Sequence, residues 1–281
     1  MFDIIYFNLS YNIQLSKHTP ECQAFFISTF RQIIENIMIS VCLALYNGEK
    51  YIIEQVKSIL DELTENDEII IVDDCSTDNS YNVVKNITDS RIKIIKNLQN
   101  LGVNGTFQNA IKASTGDYIF LSDQDDIWIE GRVKIMIDSL IKSNALLLVS
   151  NYNTLINDKR IYSKLKVKEQ DSKNSLKNIK RIFFSRSGYL GCVMLFKKDL
   201  IRFIIPFPKY IESHDLWIAM TAVIQNKIHH SEFISLLRRE HGNNVSLQKR
   251  PFVKKVISRL ILLVSMLNIS IRYLKLKNNK I

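Results

Sequence analysis

Three carboxylates directly after an apolar run are the residues best suited to do chemistry in this chain. Asp123, Asp125 and Asp126 follow residues 118–121, Tyr-Ile-Phe-Leu, which are typical of a short buried strand. Carboxylates at a strand end repel each other, so a hard divalent cation would stabilise them. Oxygen ligands suit Mg²⁺ or Mn²⁺ bound to a phosphate-bearing substrate. The alternative is a polar turn before the next helix, because short acidic motifs often occur by chance.

Two other acidic positions lie where a ligand could reach them. Asp73 and Asp74 follow a second apolar run, and Asp215 stands at the start of a predicted helix. Asp is also common in turns and at helix N-termini, so each of these residues has a purely structural alternative.

The elements that position these residues alternate between strand and helix. Strands are predicted at 39–45, 68–72, 92–95, 118–121, 145–150, 192–196 and 233–237, with helices at 52–63, 77–84, 104–113, 130–143 and 212–224. This alternation predicts an α/β fold with a mostly parallel sheet flanked by helices, whose ligands bind at the carboxyl ends of the strands. The polar, lysine-rich segment 157–181 is predicted to be a mobile surface excursion.

The positive charge is concentrated outside this predicted core. The chain has 281 residues and a formal charge of +10. Nine basic against three acidic residues give +6 in 158–181, and nine against none give +9 in 249–281, so the rest carries −5. We therefore expect no nucleic-acid partner, because a nucleic-acid-binding module would carry its positive charge on the folded body.

The two ends of the chain differ from the middle. Residues 1–38 are predicted to be an N-terminal extension, either preceding a functional start at Met38 or forming a helix at 25–37. Residues 248–281 form a predicted basic amphipathic helical tail, in which an apolar run of 12 residues, 260–271, is too short to span a bilayer. The tail either lies on an anionic membrane surface or packs on protein, and its amphipathicity does not separate the two.

The cysteines and the first residues favour the cytoplasm. Cys22, Cys42, Cys75 and Cys192 show no paired metal-binding spacing. The first basic residue is Lys17, so the positive flank of a secretory signal is missing. We expect a cytoplasmic protein, peripheral on the inner face of the cell membrane if the tail binds lipid.

Six motifs in order resemble glycosyltransferase family 2, in particular its bacterial rhamnosyltransferase-like branch. The motifs are Val41-x-x-Ala44-x-Tyr46-Asn47, Ile71-Val72-Asp73-Asp74-x-Ser76-x-Asp78, Asn100-x-Gly102, Asp123-x-Asp125-Asp126-x-Trp128, His214-Asp215-x-Trp217 and Arg239-x-His241-Gly242-Asn243-Asn244. The resemblance covers 39–247 and implies one GT-A domain with a Rossmann-like sheet. It also implies a nucleotide-diphospho-sugar donor, UDP- or dTDP-linked, and inversion at the anomeric carbon.

The resemblance also implies a role for individual residues. For the nucleotide these are Ala44, Tyr46, Glu49, Asp74 and Asp123, with Asp74 accepting from the base N3–H and Asp123 near the ribose or the outer sphere of the metal. Asp125 and His241 would bind Mn²⁺ or Mg²⁺, and Arg238 or Arg239 would neutralise phosphate charge. Asp215 would be the general base, ionised at neutral pH because it lies at a helix N-terminus. Gly191, His214 and Trp217 would shape the sugar and acceptor site, although an aromatic residue one turn into a helix is more often core.

The sequence thus predicts an inverting, metal-dependent glycosyltransferase that extends a glycan or a lipid-linked polysaccharide precursor. Two alternatives remain, a non-catalytic sugar-nucleotide-binding or membrane-adaptor protein, which would not need Asp215, and a nucleotidyltransferase. The latter would need a glycine-rich, basic phosphate cradle after the first strand, where residues 46–49 read Tyr-Asn-Gly-Glu.

Overall fold

The computed structural model describes residues 37–157, 159–241 and 251–278. The strands are β1 Ile39–Leu45, β2 Glu68–Asp73, β3 Ile92–Lys96, β4 Tyr118–Ser122, β5 Ile127–Trp128, β6 Leu147–Ile156, β7 Lys159–Tyr162, β8 Met194–Lys197 and β9 Ile228–Arg239. The helices are α1 Ile52–Leu60, α2 Ser80–Lys85, α3 Gly102–Ala113, α4 Arg132–Ser143, α5 Ser175–Phe183, α6 Ile201–Ile204, α7 His214–Ile224 and α8 Phe252–Asn278. The predicted helix at 25–37 lies almost entirely outside the described residues.

The strands form one mixed sheet, in the order β3-β2-β1-β4-β8-β6-β9-β5 with β7 beside β6. The four strands from β3 to β4 are parallel, and β6 and β9 are also parallel to each other. β8 is antiparallel to both of its neighbours. This mostly parallel α/β sheet confirms the predicted fold class.

The central strands are apolar along their whole length because both faces of the sheet are covered. In β1 six of the seven residues are buried, and all five residues of β4 are buried. α1 turns Ile52, Val56 and Ile59 towards the sheet, which is the face that its apolar spacing predicts. The core therefore lies against the strands whose carboxyl ends carry the acidic residues.

The prediction for 157–181 was wrong, because this segment contains β7, a short 3₁₀ turn and α5. Asp171 organises it: its carboxylate is buried and pairs with Lys177 at 2.7 Å and with Arg181 at 2.9 Å. Asn151 on β6 adds a pair of hydrogen bonds to the backbone of Val167, accepting from its N–H at 2.8 Å and donating to its carbonyl at 3.1 Å. Charged residues here stabilise regular structure instead of a solvated loop.

The C-terminal helix α8 is longer than the apolar run that predicted it, and one of its faces packs on α6 and α7. Ile269 and Ser265 are buried, Tyr273 lies 6.0 Å from the ring of Phe203, and Arg272 donates to the carbonyl of Pro206 at 2.9 Å. None of the described helices is both long enough and apolar enough to cross a membrane.

Candidate active site

The carboxyl ends of β1, β2 and β4 lie side by side at one edge of the sheet. Leu45 pairs with Asp73 across β1 and β2, and Leu43 pairs with Ser122 across β1 and β4. The residues that follow each strand therefore meet at this edge, as expected for a parallel sheet. The predicted nucleotide and metal residues come from these three strand ends.

The turn after β1 is hydrogen-bonded to the turn after β4. Gln124 accepts from the backbone N–H of Tyr46 at 2.7 Å and donates to its carbonyl at 3.0 Å. A Cβ at Gly48 would lie 2.5 Å from the Gln124 side chain, so the glycine allows this close approach. The Tyr46 ring is left 47% exposed beside the partly buried Ala44. This gives a solvent-facing aromatic surface against which a base could stack.

Glu49 and Asp74 already have contacts within the chain. The Glu49 carboxylate accepts from the backbone N–H of Asn79 at 2.8 Å. Asp74 is buried and accepts from Asn97 at 2.8 Å, from the N–H of Leu101 at 2.7 Å and from the N–H of Gly102 at 2.8 Å. A carboxylate has about four acceptor positions, so Asp74 retains room for one further donor. The predicted contacts of both residues with the nucleotide stay predictions.

A buried acidic cluster lies at the end of β4. Asp123, Asp126 and the thiol of Cys192 each place a potential ligand atom within 4.8 Å of the other two. Burial and the neighbouring Asp125 raise the pKa of Asp123 to about 6, and Arg238 opposes this shift. Burial also raises the pKa of Asp126 well above its usual range, as do Asp123 and Asp125. One Asp126 oxygen is buried with no hydrogen-bond partner in the described part of the chain.

The two predicted metal ligands are brought together. His241 Nε2 lies 2.8 Å from Asp125 Oδ2, and its ring stacks on Tyr51 with ring centroids 4.9 Å apart. Arg239 donates to the Asp125 carbonyl at 3.1 Å and pairs with Glu54 at 2.6 Å. Arg239 therefore holds the Asp125 turn in place, and these bonds compete with its predicted phosphate contact.

This arrangement fits a divalent cation. An ion between Asp125 and His241 would take the place of their direct hydrogen bond and would relieve the repulsion that raises the pKa of Asp123. Two or three carboxylates with one imidazole suit Mn²⁺ better than Mg²⁺, which prefers oxygen ligands. The buried Cys192 thiol is a weaker candidate ligand because burial raises its pKa, which keeps it protonated.

The structure corrects the predicted ionisation of Asp215. Ser213 is the N-cap of α7, and Asp215 is the second residue of the helix. One carboxylate oxygen of Asp215 accepts from the backbone N–H of Leu216 at 2.7 Å. Burial raises the pKa of Asp215 to about 7, and the negative charge of Asp123 adds to the shift. The N–H groups of Leu216 and Gly191 oppose it. Desolvation outweighs the helix N-terminus, so Asp215 is a stronger base than predicted.

The buried 3₁₀ turn Gly191–Val193 contacts Asp215 through the N–H of Gly191. Its position is fixed by Arg132, which is fully buried and donates to the Cys192 carbonyl at 2.6 Å. A Cβ at Gly191 would lie 2.8 Å from His214 Nε2, so only glycine lets this turn approach α7 closely. This close approach is to α7, and the predicted role of Gly191 in shaping the acceptor site stays a prediction.

Two predicted sugar or acceptor residues belong instead to the supporting structure. Trp217 is 2% exposed and donates from its indole N–H to the Ile204 carbonyl at 3.0 Å, so it packs in the core. His214 is 7% exposed and stacks on Phe107 with ring centroids 4.2 Å apart. Burial lowers the pKa of His214 to about 3, which keeps it neutral. The His214 ring lies against Gly191, whereas the Trp217 side chain bonds to the residue that ends α6.

Three residues contribute to the site without having been assigned a role from the sequence. They are Gln124, Arg132 and Gln55, whose amide donates to Ser122 at 3.0 Å. Asp126 was grouped with Asp123 and Asp125 as a carboxylate that a cation would stabilise, without a separate role of its own. Arg132 gave no signal, because a basic residue in the first turn of a helix usually faces solvent.

The comparison with known families agrees with this geometry. The model of Glycosyl transferase family 2 matches residues 40–204, which is more than half of the chain. The chain belongs to glycosyl transferase family 2. It is therefore a glycosyltransferase, and the predicted family is confirmed.

Two curated relatives from bacteria extend the comparison. The Escherichia coli UDP-Glc:alpha-D-GlcNAc-diphosphoundecaprenol beta-1,3-glucosyltransferase WfgD is 29% identical over 189 residues, covering 66% of this chain and 71% of WfgD. The Shigella flexneri dTDP-rhamnosyl transferase RfbG is 32% identical over 223 residues, covering 72% of each chain. Relatives of this glycosyltransferase thus use different nucleotide sugars.

Solved structures show the same fold. S. aureus TarS in complex with UDP-GlcNAc superposes with a TM-score of 0.63 at 21% identity, covering 80% of this chain and 65% of the TarS chain. The mannosyltransferase PcManGT from Pyrobaculum calidifontis, in complex with GDP-Man and Mn2+, gives a TM-score of 0.54 at 13% identity and covers 83% of this chain and 73% of PcManGT. The GT-A fold is therefore shared by this family 2 chain.

Proposed function

We propose that this glycosyltransferase transfers a sugar from a UDP- or dTDP-linked donor, with inversion, to a hydroxyl of a lipid-linked glycan. The observation that carries the proposal is the position of Asp215. Its carboxylate accepts from the N–H of Gly191, and the thiol of the next residue, Cys192, lies within 4.8 Å of a carboxylate oxygen of Asp123, so the candidate base lies close to the acidic cluster. The reaction needs a base beside the attacking hydroxyl and a positive charge beside the departing diphosphate.

The nucleotide is proposed to lie at the ends of β1 and β2. Tyr46 offers an exposed ring and Asp74 one remaining acceptor position. The family resemblance would place Asp123 near the ribose. A pyrimidine N3–H that completes the Asp74 carboxylate would favour uracil or thymine over cytosine, which has no proton there. The names of the relatives, which include UDP-Glc and dTDP-rhamnosyl transferases, support either base.

Asp125 and His241 would hold the divalent cation, and the Asp125 charge also acts on Asp123, whose pKa is raised by burial and by this charge. When bound, such an ion neutralises charge on the leaving diphosphate. Arg239 and Glu54 keep the Asp125 turn in position, so that the carboxylate need not reorganise when the ion binds.

Asp215 would take the proton from the acceptor hydroxyl while the oxygen of that hydroxyl attacks the anomeric carbon of the donor sugar and the nucleoside diphosphate leaves. A base with a pKa near 7 is half ionised at neutral pH and accepts a proton more readily than an ordinary aspartate. The N–H groups of Leu216 and Gly191 orient the carboxylate, and Arg132 fixes the Gly191 turn through the Cys192 carbonyl.

We also propose that the protein binds the surface of an anionic membrane, because a lipid-linked acceptor lies there. The face of α8 turned away from α7 carries apolar side chains that are 45–66% exposed: Val253, Val256, Ile257, Leu260, Leu263, Val264, Leu267, Ile271 and Leu274. Six basic residues and no acidic residue lie in the same helix. An apolar stripe with basic flanks suits the headgroup region of anionic lipid.

Release of nucleoside diphosphate from a panel of UDP- and dTDP-sugars tests the proposal. We expect turnover with Mn²⁺ or Mg²⁺ and an acceptor glycan, loss of turnover with EDTA, and a loss of at least about 100-fold in kcat for Asp125→Asn. Glu130→Gln, an exposed carboxylate outside the cluster, is the matched control and should behave as wild type. Turnover that survives both EDTA and Asp125→Asn would contradict the metal assignment.

A further inference from the structure

A cavity of about 740 Å³ lies between the segment that follows β7 and α5, away from the carboxylate cluster. Among the described residues, no acidic side chain lines it, and six basic side chains do: Lys164, Lys166, Lys177, Lys180, Arg181 and Arg186. Asp171 pairs with two of them, Lys177 and Arg181. The cavity thus carries an excess of positive charge that the established family membership does not explain.

The chain connects this basic cavity to the acceptor side of the active site. Arg186 on its wall is five residues before Gly191, whose N–H faces Asp215. Five residues span at most about 17 Å, so the cavity is within the length of a short glycan of the candidate base. Gly188 lies between them against the Leu165 carbonyl, which a Cβ would approach to 3.0 Å.

Helix α8 contacts the chain beside the cavity wall. Arg259 of α8 donates to Ser185 at 3.2 Å, and its guanidinium lies 5.7 Å from the ring centroid of Phe183 at the end of α5. Leu176 and Phe184 on the cavity wall are 74% and 59% exposed. Basic side chains next to exposed apolar ones suit a ligand that has both a phosphate group and a hydrocarbon chain.

We propose that this basic cavity binds the phosphate or diphosphate group of a lipid-linked acceptor, while the glycan of that acceptor extends past Gly188 to Asp215. The inference rests on the proposed function, since it names the acceptor class of the same site. Lysine and arginine bind phosphate by charge-assisted hydrogen bonds, and several of them are needed for a dianion at physiological salt. The diphosphate of the donor would bind elsewhere, at the proposed metal site of Asp125 and His241.

Three cavity residues outside the Asp171 ion pairs provide the test. The triple variant Lys166→Gln, Lys180→Gln, Arg186→Gln removes three exposed charges without breaking those pairs. Lys173→Gln is the control, because Lys173 is exposed in the same segment and does not line the cavity. Calorimetry of the full chain with farnesyl diphosphate, in EDTA to remove any cation at the carboxylates, measures binding without turnover.

We expect wild type and Lys173→Gln to bind farnesyl diphosphate alike and the triple variant to bind it about tenfold or more weakly. Inorganic pyrophosphate and phosphatidylglycerol vesicles distinguish the phosphate group itself from a membrane surface. Equal affinity of all three proteins for farnesyl diphosphate would overturn the proposal, as would a defect of the triple variant confined to vesicles.

A kinetic measurement separates this inference from the proposed function. In the triple variant the KM for a glycan-diphospho-lipid acceptor should rise about tenfold, with the KM for the donor and for a phosphate-free alkyl glycoside unchanged. Unchanged KM values for all substrates would remove the cavity proposal and leave the transferase function intact. If wild type transfers no sugar from any donor, the proposed function is wrong, and calorimetry would still show whether the cavity binds diphosphate.

Discussion

At the scale of single residues, the environment of Asp215 decides its chemistry. A carboxylate in the first turn of a helix is stabilised in its charged form, but burial and the charge of Asp123 destabilise that form by more. The result is a pKa of about 7 in the folded chain, against 3.8 as the usual value. A group tuned in this way suits proton transfer at neutral pH.

The first prediction concerns pH. If Asp215 is the base, log kcat/KM should rise with a slope of one and level off above pH 7, because only the ionised form accepts the proton. Asp215→Asn should lose about 100-fold or more of kcat while its affinity for donor stays within about twofold. A pH profile that is flat from pH 5 to about pH 8 would contradict the assignment.

The same raised pKa predicts a change in stability. A carboxyl whose pKa is higher in the folded chain than in the unfolded chain favours folding when protonated, and this contribution is lost as pH rises from about 4 to about 7. Asp215→Asn should therefore raise Tm at pH 8 by about 2–4 °C, for about 1 kcal/mol, and have little effect at pH 4. Thermal unfolding followed by circular dichroism at the two pH values measures this. Asp61→Asn, an exposed carboxylate just after α1, is the control.

A third prediction concerns the contact between Gly191 and His214. Gly191→Ala places a methyl group 2.8 Å from His214 Nε2 and should displace the turn that faces Asp215, with a loss of about tenfold in kcat. Changing His214 to Ser in the same protein makes room for the methyl group. The double variant should recover part of the lost kcat, and a strictly additive loss would show that the two side chains do not interact.

The types and order of the residues were enough to locate most of the candidate site. They did not identify the buried residues that pack against it. The pairing of Asp125 with His241, 116 positions apart, agrees with the spatial proximity expected from the motifs. The roles predicted for Trp217 and His214 were wrong, because an apolar or aromatic residue beside a catalytic one looks the same in sequence whether it faces ligand or core. Burial, which sets the pKa of Asp215, is a property of the whole fold.

At the scale of elements, α3 positions the start of α7. Asn104 on α3 accepts from the N–H of His214 at 2.9 Å and donates to the Ile211 carbonyl at 3.1 Å. These bonds tie the residue before Asp215 to a helix that packs on β1 and β2. A side chain 110 positions earlier thus fixes the direction of the helix that carries the base.

The fourth prediction follows from this link. Asn104→Ala should reduce the stability of the fold by about 1–2 kcal/mol, because a backbone donor and acceptor lose their partner. It should also lower kcat more than it raises the KM for donor, since the start of α7 becomes less ordered. Lys112→Ala, exposed on the same helix, should change neither quantity. Equal kinetics of Asn104→Ala and wild type would show that α7 is positioned by other contacts.

Strongly apolar elements were predicted well, and polar elements were not. β1, β2 and β4 are continuous apolar runs, so their bounds differ from the predicted ones by at most one residue. α5 was missed because its order depends on the ion pairs of Asp171 with Lys177 and Arg181, which composition does not reveal. β6 and β9 extend beyond the predicted apolar runs because they pair with each other along polar residues.

At the scale of the whole molecule, α8 presents one face to the described domain and the other to solvent. The inner face packs on α6 and α7, whereas the outer stripe from Val253 to Leu274 remains exposed. Docking on protein and contact with a membrane, the two interpretations of the tail left open by the sequence, therefore use different faces. The first is observed, and the second is the proposal.

The fifth prediction tests the outer face. Leu260→Ser with Leu267→Ser should weaken sedimentation with phosphatidylglycerol vesicles by about tenfold or more, because each leucine loses a favourable transfer from water. Tm should stay within about 1 °C, since the two side chains are 57% and 66% exposed. Ile53→Ser, a similar change on the exposed side of α1, is the control. Undiminished sedimentation of the double variant would exclude the stripe as the lipid contact.

The two tryptophans of the chain each lie under a guanidinium group. Arg272 of α8 is 5.1 Å from the Trp217 ring centroid, and Arg132 is 4.1 Å from that of Trp128. Indole emission is sensitive to such a neighbour, so the enzyme contains two natural optical probes in different places. Replacing Trp128 by Phe would leave a fluorophore that reports when the tail separates from α7, and replacing Trp217 would leave one that reports on the Gly191 side.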